Sequence, residues 1–369
     1  MALPTPFETK RKKAPIGALG RIQYLNVAER EEPTANSLLA GPLAGKCVRE
    51  NLQKQQLRSF SLAACLVMSS FDKISKDQTR RESAAMHETP TSIQRLVDLA
   101  DARLYELVGL MKPVMASDKL TIGQRQTISW LSTACVRASG SALLLAGFER
   151  VWDAEILSRS VFEGTVKFCH LLGDPKNAAS RFDEYEISLS DIASLADHEK
   201  ARRLIEIAPD PRDDMVAVLQ ELILTEEKLA EFASKYPRQE RRRIQAAWGF
   251  TGIVEQMVRN GEGLGELAAG LLHGYAMASH VAHADYLGIG MVMEREHRPE
   301  NRRIATHEAH AARVISDQLW YCAFRLIAAY RFIEKPRTEI LDLMTNESEL
   351  SEILKNTQAD WYRVEYPQK

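Results

Sequence analysis

The 369-residue sequence has no CxxC pair, no stretch of alternating apolar and polar residues, and no apolar run of bilayer length. Each absence excludes something. The five cysteines, Cys47, Cys65, Cys135, Cys169 and Cys322, are odd in number and far apart. That spacing argues against a disulfide framework or a cysteine-rich zinc site and suits a reducing, cytoplasmic compartment. The longest apolar stretch, Ala142 to Phe148, is far short of the ~20 residues that span a bilayer, so no membrane partner is expected. No apolar segment follows the N-terminal charges, and Ala2 rather than glycine follows Met1, which argues against a secretory signal and myristoylation. The net charge of −2 supplies no global field, so contact with nucleic acid would need a local patch.

Period-2 patterns rich in β-branched residues are missing, which leaves no place for a sheet. No repeat of fixed period occurs. The nucleophile elbow GxSxG, the phosphate loop GxxxxGK[ST] and a GxGxxG after a strand are all absent. Asn260 to Gly265 is glycine-rich but joins two helical patterns, so it reads as a turn. Carboxylate-bridged di-metal bundles need two Glu-x-x-His pairs, and this chain has one, Glu294 to His297. His307-Glu308-Ala309-His310 is one residue short of HExxH. No metal and no cofactor are expected.

What the sequence does contain is helix after helix. Residues 1–42 hold five prolines and the basic run Lys10 to Lys13, and read as a loose basic tail. A helix over Gly45 to Ile74 and a polar linker over Lys73 to His87 make up 43–88, a helical bundle occupies 89–335, and a C-terminal helix fills 336–369. Thr121 reads as the cap of a helix ending at Phe148, and Gly173-Asp174-Pro175 as a stop. Single helices are expected over 176–207, 212–235 and 301–334. An all-α, up-and-down multi-helix bundle is the economical architecture, because short polar turns join antiparallel neighbours.

The segment Leu264 to Arg295 reads as one long helix rich in small residues, over which neighbouring helices could approach closely. It carries His273, His280, His283 and Asp285, and the three histidines line one side. Histidine titrates nearest neutral pH, so a positioned one can move protons. Polar gap-filling between helices is the plainer account of each. His283 is the preferred candidate, because Asp285 and the following Tyr286-Leu287-Gly288 suggest a local break that would expose it. On Asp153 to Leu172, Arg159, Glu163 and His170 fall opposite a broad apolar arc. They form either a solvated salt ladder or a buried site. Lys235, Arg238, Arg241, Arg242 and Arg243, near Trp248, make the strongest basic patch and a candidate phosphate contact.

LSRSVFEGTVKFCHLLGD (157–174), AAWGFTGIVEQM and LLHGYAMASHVAHADYLG together resemble an uncharacterised bacterial family of helical proteins of unknown function. That family is similar, distantly, to the HEPN helical-bundle superfamily, which includes ribonucleases of toxin–antitoxin and phage-defence systems as well as inactive scaffolds. The resemblance implies a homodimer with a site at a helix interface, and RNA, a protein partner or an antitoxin as partners. It carries over Arg159 and Glu163 from one helix, and Ser279 and His283 from the other, with His280 beside them. One departure matters: no Arg-x(4–6)-His spacing of the superfamily ends at His280 or His283; Arg302–His307, Arg303–His310 and Arg81–His87 fit it, but Arg303 and Ile304 stand where the usual polar residue would follow Arg302 and Arg303. The resulting expectation is a metal-independent ribonuclease of a stress or phage-defence system, in which His283 moves a proton while Arg159 and Glu163 converge on it. The alternative is a non-catalytic module for dimerisation or partner binding.

Overall fold

The computed structural model describes residues 92–207, 214–262, 265–346 and 348–367. The expected basic tail, N-terminal helix and linker lie outside the described residues. Among the described residues the chain is helical throughout, with no strand. The helices are α1 (Ser92–Gly109), α2 (Lys112–Ala116), α3 (Ile122–Gly147), α4 (Val151–Gly173), α5 (Ala178–Asp183), α6 (Leu189–Ile207), α7 (Asp214–Gln220) and α8 (Glu226–Lys235). They continue with α9 (Arg238–Ala247), α10 (Phe250–Arg259), α11 (Gly265–Ala282), α12 (Tyr286–Glu296), α13 (Glu300–Phe332), α14 (Thr338–Thr345) and α15 (Glu349–Glu365). A π-helical turn, Glu184–Ser188, joins α5 to α6.

The core is built on α4 and α13. Ala154, Val161, Phe162, Val166, Phe168, Cys169 and Leu172 of α4 are buried, and α13 buries Val314, Ile315, Leu319, Cys322, Leu326 and Tyr330. Helices α3, α10 and α11 pack on α4, while α1 and α15 pack on α13. Burying a side chain of this size contributes roughly 1.5–3 kcal/mol, so this apolar pair of helices dominates the fold. Helix α3 is long and apolar enough to cross a membrane by length and composition, contrary to the reading from uninterrupted apolar runs. Its buried residues Ile128, Cys135, Ala142 and Leu143 nonetheless belong to the bundle core.

Several helix ends follow the sequence signals. Thr121 accepts from the Gln124 amide, and Gln124 answers with its side chain, a complete capping box. Ser348 caps α15. Other ends differ. The expected single helix over 264–295 breaks between α11 and α12, where Ala284 takes a left-handed φ of 48° and Asp285 caps α12 by accepting from the Gly288 amide at 3.0 Å. A Cβ on Gly288 would lie 2.3 Å from the His280 carbonyl oxygen, so only glycine permits this corner. The expected helix over 212–235 is two, because Thr225 caps α8 afresh. The helix over 176–207 is interrupted by the π-helical turn.

Candidate functional site

Three helices line one cleft. Helix α4 supplies Glu155, Ser158 and Arg159; α11 supplies Gly274, Tyr275 and Ala278; α13 supplies Arg313, Asp317 and Tyr321. The α13 set is spaced i, i+4, i+8, which keeps it on one face. The cavity volume is about 30 Å³, and the cleft opens to solvent. A Cβ on Gly274 would touch nothing within 4 Å. The small residue there therefore leaves the cleft open, rather than admitting a neighbouring helix.

At the rim, Arg159 and Glu163 form an i, i+4 ion pair at 3.1 Å. Arg159 also donates to the Tyr275 hydroxyl at 2.9 Å, and that hydroxyl donates to Glu163 at 2.5 Å. The Tyr275 ring is held by Phe250, stacked at 3.8 Å, and by the Arg159 guanidinium 4.7 Å from its centre. Burial raises the Tyr275 hydroxyl above its ordinary value, and the bond to Glu163 adds to this.

Deeper, charges are paired in a chain. Arg313 donates to Glu155, and to Asp317 at 2.7 Å. Glu155 also meets Nε2 of His310 at 2.9 Å, and Arg295 reaches Nδ1 of the same ring. This arrangement assigns a neutral His310 with its proton on Nε2, since Arg295 can only donate. Trp152 packs edge-on against His310, and Arg295 lies over the Trp152 ring. Burial alone would raise the Glu155 carboxyl, but Arg313 and His310 outweigh it and hold Glu155 at about 2. Burial lowers His310 to about 4 despite Glu155. Asp317 moves the other way: burial raises it to about 6 against the pull of Arg313. The cleft thus holds two carboxyl groups set far apart in acidity, the pattern that separates acid from base roles.

The residues singled out from the sequence divide sharply. Arg159 and Glu163 stand together at the rim of the cleft, neither fully exposed nor sealed. His283 does not join them: it is exposed, in the turn after α11, about 12 Å of helix rise and ~80° around from Tyr275. Ser279 is half-buried and accepts the His283 amide at its carbonyl. His280 pairs with Asp285 at 2.6 Å near the surface. The side chain of His273 lies outside the described residues. His170 is buried against Trp248, and burial lowers it to about 3. In the basic patch, Arg241 meets Glu199 and Arg243 meets Glu184 and Glu240, leaving Arg238 and Arg242 exposed and outside any ion pair among the described residues. Arg303 is not a partner of His310; the arginine that reaches its ring is Arg295. Among the described residues no three His, Cys, Asp or Glu side chains are grouped so as to hold a metal.

Comparison with known proteins adds one match. Residues 127–301 are similar to a family of unknown function, DUF5677. No curated protein and no solved structure matches the chain. The DUF5677 stretch begins in α3 and ends at the start of α13. It includes Glu155, Arg159, Glu163 and Tyr275, and stops short of His310, Arg313 and Asp317.

Reading the sequence alone missed Glu155, Tyr275, Arg295, His310, Arg313, Asp317 and Tyr321. One signal was available for the α13 set. Arg313, Asp317 and Tyr321 recur every four residues beside the buried face of α13, and a half-buried carboxylate such as Asp317 at the edge of a core needs a partner.

Proposed function

We propose that the cleft between α4, α11 and α13 binds a phosphodiester, and that the protein is a metal-independent ribonuclease, the activity implied by its resemblance to HEPN ribonucleases. One observation carries the reading: Arg159 and Arg313, on different helices, both line a single cleft that also holds Asp317, whose proton comes off at about 6. Each arginine is neutralised by carboxylates in the free protein, so an entering phosphate must displace part of that pairing. An anion beside Asp317 raises its pKa further, and the protonated carboxyl then becomes a proton donor. Glu163 takes the proton of a ribose 2′-hydroxyl, and the 2′-oxygen attacks phosphorus. The phosphorus–5′-oxygen bond breaks as Asp317 gives its proton to that oxygen. The products are a 2′,3′-cyclic phosphate and a free 5′-hydroxyl. Arg159 and Arg313 hold the developing phosphorane charge. A role in stress or phage defence would follow from the same resemblance.

The second reading, a non-catalytic helical module, is favoured by the inner half of the network. Glu155 and His310 are sealed from solvent and satisfied by Arg295 and Arg313, as a purely architectural network would be.

Cleavage of single-stranded RNA of mixed sequence, without added metal, separates the two. Asp317→Asn and Arg159→Ala are expected to lose at least 100-fold in rate, roughly 3 kcal/mol of transition-state stabilisation. Gly274→Leu is expected to abolish RNA binding by filling the cleft while the helix stays folded, since leucine is the better helix former. His283→Ala keeps full activity. Wild-type protein that neither binds nor cleaves RNA would leave the architectural reading standing.

A further inference from the structure

The surface of α3 turned away from the core carries large apolar side chains toward both ends, Trp130 at one and Leu144 and Phe148 at the other. From Gln126 to Phe148 the segment holds a single charged residue, Arg137. Only a third of its most apolar 18-residue window is buried, although the mean hydropathy of that window is 1.2. Between Trp130 and Phe148 the exposed positions are Trp130, Ala134, Arg137, Ser141, Leu144 and Phe148. Their spacing, 4-3-4-3-4, is that of one seam of a helix pair. Trp130 is 61% exposed, Leu144 53% and Phe148 64%. The flanking positions Leu131, Ala138 and Leu145 are half-buried and apolar, while Thr133, Gly140 and Gly147 on the other flank are small and uncharged.

We propose that this stripe is an interface between two copies of the chain, paired antiparallel through α3 about a two-fold axis at Ser139. Reversing the helix about that point maps the stripe onto itself. Trp130 of one copy then faces position 148 of the other, Ala134 faces position 144, and Arg137 faces position 141. The chemistry of those pairs is complementary: aromatic against aromatic, small against large, and a long cation against a serine. An isologous contact requires this self-matching of one patch. Arg137 is long enough to lay its stem on the seam and carry its charge to the rim. The exposed side chains offer on the order of 500 Å² per protomer, so pairing removes on the order of 1,000 Å², the area at which an interface exceeds a chance contact. Helix faces left in water are ordinarily polar, so the absence of charge on both flanks supports a covered face.

The full chain, with Cys47→Ser and Cys65→Ser to remove the two cysteines outside the described residues, tests this by sedimentation equilibrium and oxidative cross-linking. The expected result is a dimer at micromolar concentration that becomes monomeric in Leu144→Glu with unchanged helical circular dichroism. Ala134→Cys combined with Leu144→Cys is expected to cross-link the dimer. Each single cysteine is expected to fail, because the two copies of either position lie about 15 Å apart along the axis in this pairing. A monomeric parent chain, a dimer that survives Leu144→Glu, or single cysteines that cross-link as well as the pair would each overturn the proposal. A monomer whose Trp130 is shielded from a soluble quencher would also overturn it, and would show that another part of the chain covers the stripe.

Discussion

Two histidine–carboxylate pairs in this protein have nearly the same geometry and opposite consequences. His280 and Asp285 meet at 2.6 Å at the corner between α11 and α12, with more than a third of each side chain in water. His310 and Glu155 meet at 2.9 Å between α13 and α4, with less than a tenth of each exposed. In the first pair, the His280 hydrogen bond and the Gly288 amide hold Asp285 below its ordinary value, and solvent screens the rest. In the second, burial strengthens every interaction and penalises every unpaired charge. Glu155 falls to about 2 and His310 to about 4, and Arg295 and Arg313 are committed to the same network. Chemistry alone does not make a site. At the exposed pair hydrogen bonds do most to shift the carboxylate, whereas between helices burial is the largest influence on both partners.

The comparison is broken most forcefully at Glu155. Glu155→Ala leaves the buried His310 ring without its acceptor and takes from the part-exposed Arg313 one of its two carboxylates. A loss of about 2–3 kcal/mol is expected, measured as a lowered urea midpoint at pH 7. The same carboxylate sets an acid limit. Its folded pKa is depressed, so its contribution is complete above its ordinary value of 4.5 and is lost as pH falls from there toward 2. Glu155→Gln should flatten that part of the stability–pH curve. An unchanged acid limb in the glutamine variant would show that other carboxylates govern acid unfolding.

How much of this was legible in the sequence follows from the same contrast. The helices were legible because their apolar faces repeat every three to four residues. Thr121 and Ser348 announced their own helices, since their side chains satisfy backbone amides that nothing else can reach. Other ends were silent. Glu149, Ala284 and Glu334 each close a helix in the left-handed region, at φ 60°, 48° and 57°, where glycine is the usual residue; Gly261 alone showed it openly. The rim pair Arg159–Glu163 was visible as an i, i+4 spacing. Its third member, Tyr275, lies 116 residues from Arg159 and carries no local mark. The inner network was illegible for the same reason, because Glu155 and His310 are joined across 155 residues by packing that neither helix encodes alone. The histidine cluster was the loudest local signal. It marked a surface corner, since a sequence shows which residues can titrate but not which are dry.

A second prediction sharpens the contrast within the cleft. Asp317 has a folded pKa raised to about 6 from 3.8, so its ionised form is disfavoured in the folded state. Its stabilising contribution is present below 3.8 and lost as pH rises through 6. Asp317→Asn should therefore be more stable than wild type by roughly 1–3 kcal/mol at pH 8, with the difference vanishing near pH 4. His310 has the opposite sign. Its folded pKa of about 4 lies below its ordinary 6.5, so stability is lost as pH falls from 6.5 to 4. In wild type the two slopes oppose each other over this range. In Asp317→Asn the His310 slope should stand alone, and urea midpoints at half-unit pH steps would reveal it. A flat curve in the variant would mean that His310 is more solvated than its partners imply.

The smallest effects are expected at the exposed corner. His283→Ala should change stability by no more than about 0.5 kcal/mol, as for other surface side chains without a buried partner. His280→Ala removes the partner of Asp285 but leaves the carboxylate capping α12 through the Gly288 amide. Its melting temperature should therefore stay near that of wild type. Asp285→Ala should fall further than either, because it strips the cap from a helix that begins directly after a strained left-handed residue. The ordering Asp285 before His280 and His283 is the informative quantity. If His280→Ala destabilised as much as Asp285→Ala, the surface pair would be coupled as tightly as the buried one, and solvent would not be what separates them.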